Sequence, residues 1–135
     1  MTKETPKNIL IVDDDDDVVR MISIFLGSRG YCCSTAKTGA QGERKFLLND
    51  VDMVITDLHM PVGDGAALIE RIRNTKDVPI VIITGFSEQY ARRVEHIRDV
   101  TMLQKPFDPH ELRSIVERKL AMQTDPPHEA KVTCP

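Results

Sequence analysis

The strongest constraint on this chain is a set of three apolar runs, residues 9–12 (ILIV), 51–56 (VDMVIT) and 78–84 (VPIVIIT), each closed or followed by residues able to do chemistry. Runs that do not alternate polar with apolar suit strands covered on both faces. Residues 31–35 and 100–103 are weaker strand candidates. Between the runs the period changes to that of a helix. Val18, Met21, Ile22, Phe25 and Leu26 share one helical face, and Gly27 and Gly30 mark its end. Leu112, Ile115, Val116 and Leu120 repeat the pattern; Leu68, Ile69 and Ile72 give a shorter version, as do Ala91, Val94 and Ile97. Residues 39–48 are the poorest helix, with Gly42 inside and few apolar positions, and their assignment rests on their place in the alternation. Five strand-then-helix units with short connections predict an α/β fold, a parallel sheet with helices on both faces.

Composition narrows the function classes. At 135 residues the chain predicts one folded unit, residues 1–122 with a core of about 7–121. Residues 123–135 lose periodicity and read as a disordered tail or the start of a linker. Eighteen basic against twenty-one acidic side chains leave a net charge of −3, which offers no basic footprint for nucleic acid. No apolar run reaches the ~20 residues needed to cross a bilayer, and the first residues lack a signal-peptide core. Cys32, Cys33 and Cys134 show no metal-ligand spacing and read as reduced thiols in the cytoplasm.

In an open parallel sheet, ligands gather beyond the carboxyl ends of the strands. The residues there are Asp13 and Asp14 after the first run, Asp57 after residues 51–56, Thr84 closing residues 78–84, and Lys105 after residues 100–103. Three carboxylates within a few ångströms repel, so a proton or a cation must join them. A hard divalent ion fits, and Mg²⁺ (or Mn²⁺) suits a site that completes its shell with water and phosphate. Formal charge then balances, with −3 from the aspartates offset by the metal and Lys105. Were Asp57 converted to an acyl phosphate, its charge would rise to about −2. A unit-charge pair at ~4 Å is worth about 4 kcal/mol at an effective dielectric near 20. That is the scale on which a two-state equilibrium moves by orders of magnitude.

Other polar residues read more simply. Asp15, Asp16 and Asp17 are expected to cap a helix and favour its N-terminal dipole. Asp64-Gly65 reads as a turn or helix start, His96, His110 and His128 as solvated, and Arg92, Arg93 and Arg98 as an exposed helix face.

The segments ILIVDD (9–14), DMVITDLHMPVGDG (52–65), VPIVIITG (78–85) and LQKPF (103–107) together resemble the receiver domain of bacterial two-component response regulators, over roughly residues 7–121. The resemblance implies a (βα)₅, flavodoxin-like (CheY-like) fold with strand order 2-1-3-4-5. It implies phosphoryl transfer to Asp57 as nucleophile from a histidine kinase or histidine phosphotransfer protein. Asp13, Asp14, Asp57 and the backbone carbonyl of His59 would hold Mg²⁺. Thr84 and Lys105 would hold the phosphoryl oxygens, and a cis peptide would join Lys105 to Pro106, as an X–Pro bond allows. His59 and Phe86 would flank the path of the hydrolytic water. The switch residues would be Thr84 and Met102, the latter at a position usually Tyr or Phe, where a thioether supplies neither ring nor hydroxyl. A downstream protein or output domain would dock on the face formed by the fourth and fifth helices and the fifth strand. The chain would be a monomer or a phosphorylation-dependent dimer, self-phosphorylating and autodephosphorylating rather than turning over a substrate.

One other class fits a local pattern. Asp14-Asp15-Asp16-Asp17-Val18 matches the D-x-D-x-[TV] signature of haloacid-dehalogenase-like phosphatases, which also use an aspartate nucleophile with Mg²⁺. The pattern arises trivially in a run of aspartates and leaves Asp57 without a role.

Overall fold

The computed structural model describes residues 6–58, 65–85, 94 and 96–121. Each predicted strand run coincides, to within a residue or two at its ends, with a five-residue strand: β1 (Asn8–Val12), β2 (Cys32–Ala36), β3 (Met53–Asp57), β4 (Ile80–Thr84) and β5 (Val100–Gln104). All pair in parallel, in the order β2-β1-β3-β4-β5 that the family resemblance implies. Two strands begin later than their apolar runs. Val51 and Val78 are buried ahead of β3 and β4 rather than laddered within them.

Because successive strand side chains point to opposite faces, each strand feeds two cores. On one face Leu10, Val12, Val54, Ile80 and Ile82 pack against α2 (Gly39–Leu48) and α3 (Gly65–Thr75) through Phe46, Leu68, Ile69 and Ile72. On the other, Ile9, Ile11, Met53, Ile55, Val81 and Ile83 meet α1 (Asp16–Gly27) and the C-terminal helix (Pro109–Ala121) through Ile22, Leu26, Leu112 and Val116. This double cover is why the runs do not alternate.

In α1 the buried residues are Val19, Ile22 and Leu26, so Val18, Met21 and Phe25 flank the contact instead of centring it. Asp15 caps this helix, accepting from the N–H groups of Asp17 (3.0 Å) and Val18 (3.4 Å), as expected of the aspartate run. Gly42 has a purpose that helix propensity hides. A Cβ there would lie 2.9 Å from Cγ2 of Val12, so the missing side chain is what lets α2 lie against β1.

The expected helix near Ala91 lies largely outside the described residues. Of its apolar positions, Val94 is buried and Ile97 packs against the α2/α3 core. Residues 123–135 also lie outside the described part. No helix among the described residues is long and apolar enough to cross a membrane. Of the cysteines read as reduced thiols, Cys33 is free and half-buried, and Cys134 lies outside the described residues.

Candidate functional site

The chain crosses from β2 back over β1 to reach β3, which puts the topological switch point between β1 and β3. There the carboxyl ends of neighbouring strands converge. Asp13 directly follows β1, Asp57 is the last residue of β3, Thr84 the last of β4, and Lys105 directly follows β5. Four adjacent strands thus present one chemical group each.

The two central carboxylates are buried: Asp13 is 0% exposed and Asp57 5%. Asp14 is exposed. Carboxylate oxygens of Asp13, Asp14 and Asp57 all lie within 4.8 Å of one another. The Lys105 ammonium spans two of them, with Nζ 2.9 Å from Oδ2 of Asp13 and 3.2 Å from Oδ2 of Asp57. Oδ1 of Asp13 accepts the N–H of Asp15 at 3.0 Å, so both oxygens of Asp13 are engaged. The backbone secures these positions. The N–H of Asp13 donates to the Ala36 carbonyl (3.1 Å), and the N–H of Lys105 donates to that of Thr84 (2.9 Å). The Lys105–Pro106 peptide is cis.

Burial raises the pKa of Asp13; the Asp15 N–H and Lys105 pull it back down, and the Asp57 charge adds to the rise. For Lys105, burial acts downward, but the hydrogen bond and charge of Asp13 and then the charge and hydrogen bond of Asp57 outweigh it, so its pKa rises. One ammonium faces three carboxylates, an imbalance that a divalent cation with oxygen ligands corrects. The donor set therefore fits a hard divalent metal, with Asp14 and Asp57 better placed to offer oxygens than Asp13. His59, whose carbonyl was expected to join them, and Phe86 lie outside the described residues.

Met102 sits in β5 opposite Ile82, on the sheet face that α2 and α3 cover, and is partly buried against that core. The acidic run divides as read: Asp13 and Asp14 join the cluster, while Asp16 makes an exposed ion pair with Lys37 at 2.9 Å. The phosphatase signature needs Asp16 beside Asp14 in the site, and the structure turns it away.

Gly65, which read only as a turn or helix start, opens α3. A Cβ on it would collide with the Asp57 carbonyl oxygen and lie 2.7 Å from Cα of Leu58. Its N–H donates to the Leu58 carbonyl at 3.3 Å. The hydroxyl of the buried Thr56 donates to the Asp57 carbonyl at 3.0 Å. The Gly65 contact depends on where α3 lands against β3, and the Thr56 bond on the hydroxyl's turning along its own strand to the next carbonyl, so neither follows from residue pattern alone.

Comparison with known proteins agrees with this geometry. Residues 9–117 match the family described as the response regulator receiver domain. The transcriptional regulatory protein ResD of Bacillus subtilis (strain 168) is 34% identical over 113 residues, 82% of this chain and 46% of that protein. The response regulator ArlR of Staphylococcus epidermidis is 33% identical over 120 residues, 87% of this chain and 54% of that protein. The chain thus spans about half the length of these curated relatives. Among solved structures, the chemotaxis protein CheY4 of Vibrio cholerae superposes with a TM-score of 0.79 at 28% identity, over 84% of this chain and 98% of that one. A two-component response regulator from Clostridium difficile gives 0.81 at 26% identity, over 88% and 99%. Strand order, the acidic pocket at the switch point and the family match converge: this chain belongs to the response regulator receiver domain family of two-component systems.

Proposed function

We propose that the chain accepts a phosphoryl group on Asp57 from a histidine kinase or histidine phosphotransfer protein and thereby switches a partner-binding surface. The observation that carries this is the Lys105 ammonium bridging Asp13 and Asp57 at the strand ends, beside the buried residue Thr84. Asp57 attacks the phosphorus of the donor phosphohistidine. An O–P bond forms at its carboxylate as the donor N–P bond breaks, and that electron pair returns to the imidazole nitrogen. Lys105 shifts from carboxylate to phosphoryl oxygen, and the Thr84 hydroxyl donates to another. Asp13, Asp14, Asp57 and the His59 carbonyl would hold Mg²⁺ or Mn²⁺, which when bound neutralises charge on the phosphoryl oxygens.

Met102, on the same sheet face as Ile82, fills the switch position with Thr84 at the neighbouring strand end. A flexible thioether repacks where an aromatic ring would rotate. The output face would be that of the fourth and fifth helices and the fifth strand. We place the chain in the cytoplasm as one receiver unit over residues 1–122, monomeric or dimerising on phosphorylation, and with no substrate turnover beyond its own phosphorylation and dephosphorylation. The expectation of no nucleic-acid contact holds only for the charge of these 135 residues. Relatives named as transcriptional regulators are about twice as long, so it does not extend to a longer protein.

The test is labelling with acetyl phosphate and Mg²⁺, followed by intact mass. One phosphoryl group should appear, require the metal, and be absent from Asp57→Asn. Turnover of an aryl phosphate that survives in Asp57→Asn would instead restore the phosphatase reading.

A further inference from the structure

We infer that Thr56 and Gly65 are positioning residues that clamp the Asp57 carbonyl from two sides and so set the direction in which the Asp57 carboxylate meets its phosphoryl donor. The inference rests on the reading of Asp57 as phosphoacceptor and adds two residues to it.

Thr56 is the anomaly that leads there. It pairs with Val12 in the sheet, follows Val54 on the same face, and is 0% exposed. Valine has the same shape and would bury no hydroxyl. A buried hydroxyl costs free energy unless it is hydrogen-bonded, and here it donates to the carbonyl of the next residue, Asp57, at 3.0 Å. From the other direction the first residue of α3 comes so close that only hydrogen fits on its Cα. A side chain at Gly65 would strike the Asp57 carbonyl oxygen and Cα of Leu58, and the Gly65 N–H donates to the Leu58 carbonyl.

The peptide plane after Asp57 is therefore held by a hydroxyl and by a helix start. The plane before Asp57 is held in the sheet beside β4, so holding the plane after it as well fixes the backbone at the Asp57 Cα and hence the direction of the Cα–Cβ bond. In-line attack depends on that direction, and displacement of the reacting atom by about 1 Å can cost on the order of a hundredfold in rate.

Gly65→Ala tests the clamp directly but threatens the fold, so Thr56→Val is the decisive variant. It keeps the shape and removes only the donor. The saturating rate of labelling by acetyl phosphate should fall about tenfold in Thr56→Val, with the half-saturating concentration within about twofold of wild type. Thr56→Ser, which restores the hydroxyl, should recover most of the rate. The backbone carbonyl ¹³C resonance of Asp57 should move in Thr56→Val and return in Thr56→Ser without any phosphoryl donor. Ile72→Val thins the same apolar face away from the clamp and should label as wild type does. Wild-type labelling by Thr56→Val, an unmoved Asp57 carbonyl, or an equal loss in Ile72→Val would each overturn the clamp. Wild-type protein inert to both acetyl phosphate and beryllofluoride would overturn the phosphoacceptor reading and the clamp with it, and that failure shows before any variant is made.

Discussion

Lys105 reaches across the end of the sheet to place its ammonium 2.9 Å from Asp13, a carboxylate with no exposed surface that lies 92 residues away in sequence. The pair is not exclusive: the same ammonium also serves Asp57, and Asp14 adds a third carboxylate within 4.8 Å of the other two. A site built this way sacrifices stability without its metal and gains it back with one.

Asp13→Asn should therefore stabilise the metal-free protein by about 1 kcal/mol near pH 7 while weakening Mg²⁺ binding at least about tenfold. The folded pKa of Asp13 is raised above its ordinary value of 3.8, chiefly by burial. The stability linked to this group is complete below that ordinary value and is lost as pH rises through the folded one. The advantage of Asn should accordingly shrink as pH is lowered into the carboxylate range. Urea unfolding of both proteins across pH 4 to 8, with and without Mg²⁺, measures it; a constant difference across that range would contradict it.

Gly42→Ala sets two effects of opposite sign against each other. Alanine gains about 1 kcal/mol in helix propensity, whereas overpacking a closed core costs about 1–3 kcal/mol. The new Cβ would meet the side chain of Val12, which is 0% exposed and has no room to retreat. Overpacking should win, giving a net loss of about 1 kcal/mol in chemical denaturation. A stabilised variant would show that α2 can lift off β1 at little cost.

At the opposite end of the sheet, buried Asp52 accepts the backbone N–H that opens β1, from Asn8, at 2.8 Å. Asp52→Ala leaves that donor without its carboxylate and should cost about 1–3 kcal/mol. Phosphoryl labelling at saturating donor should be unaffected, since the residue lies a strand's length from Asp57. Equal loss of labelling and stability would mean the two ends of β3 are coupled.

Burial pushes the Cys33 thiol up to about 11. Alkylation by iodoacetamide without reductant at pH 8 should run roughly a hundredfold slower than for an ordinary thiol, because the thiolate is that much scarcer. The raised folded pKa also contributes stability that is complete below the ordinary value of 9.0 and lost as pH climbs towards about 11. Cys33→Ala should lack that alkaline decline. An alkylation rate typical of an exposed thiol would place Cys33 in a different setting.

Much of the site was legible in sequence because parallel strands carry chemistry at a predictable end. Once residues 9–12, 51–56 and 78–84 read as strands covered on both faces, Asp13, Asp57 and Thr84 had to stand together, and Lys105 followed from residues 100–103. Periodicity determined the layers, and runs of aspartate determined a capped helix, since both depend on neighbours within a few residues. Tertiary structure decided what depends on contact between distant segments. It turned Asp16 away to Lys37, made Gly42 a packing residue against Val12, and engaged both oxygens of Asp13. It also brought Gly65 against the carbonyl of Asp57, to which the neighbouring Thr56 hydroxyl already donates. The Gly42 and Gly65 contacts are set by the docking of α2 and α3 on the sheet, and the others by side-chain directions and strand-end placement; no local pattern of residues encodes distances that fine.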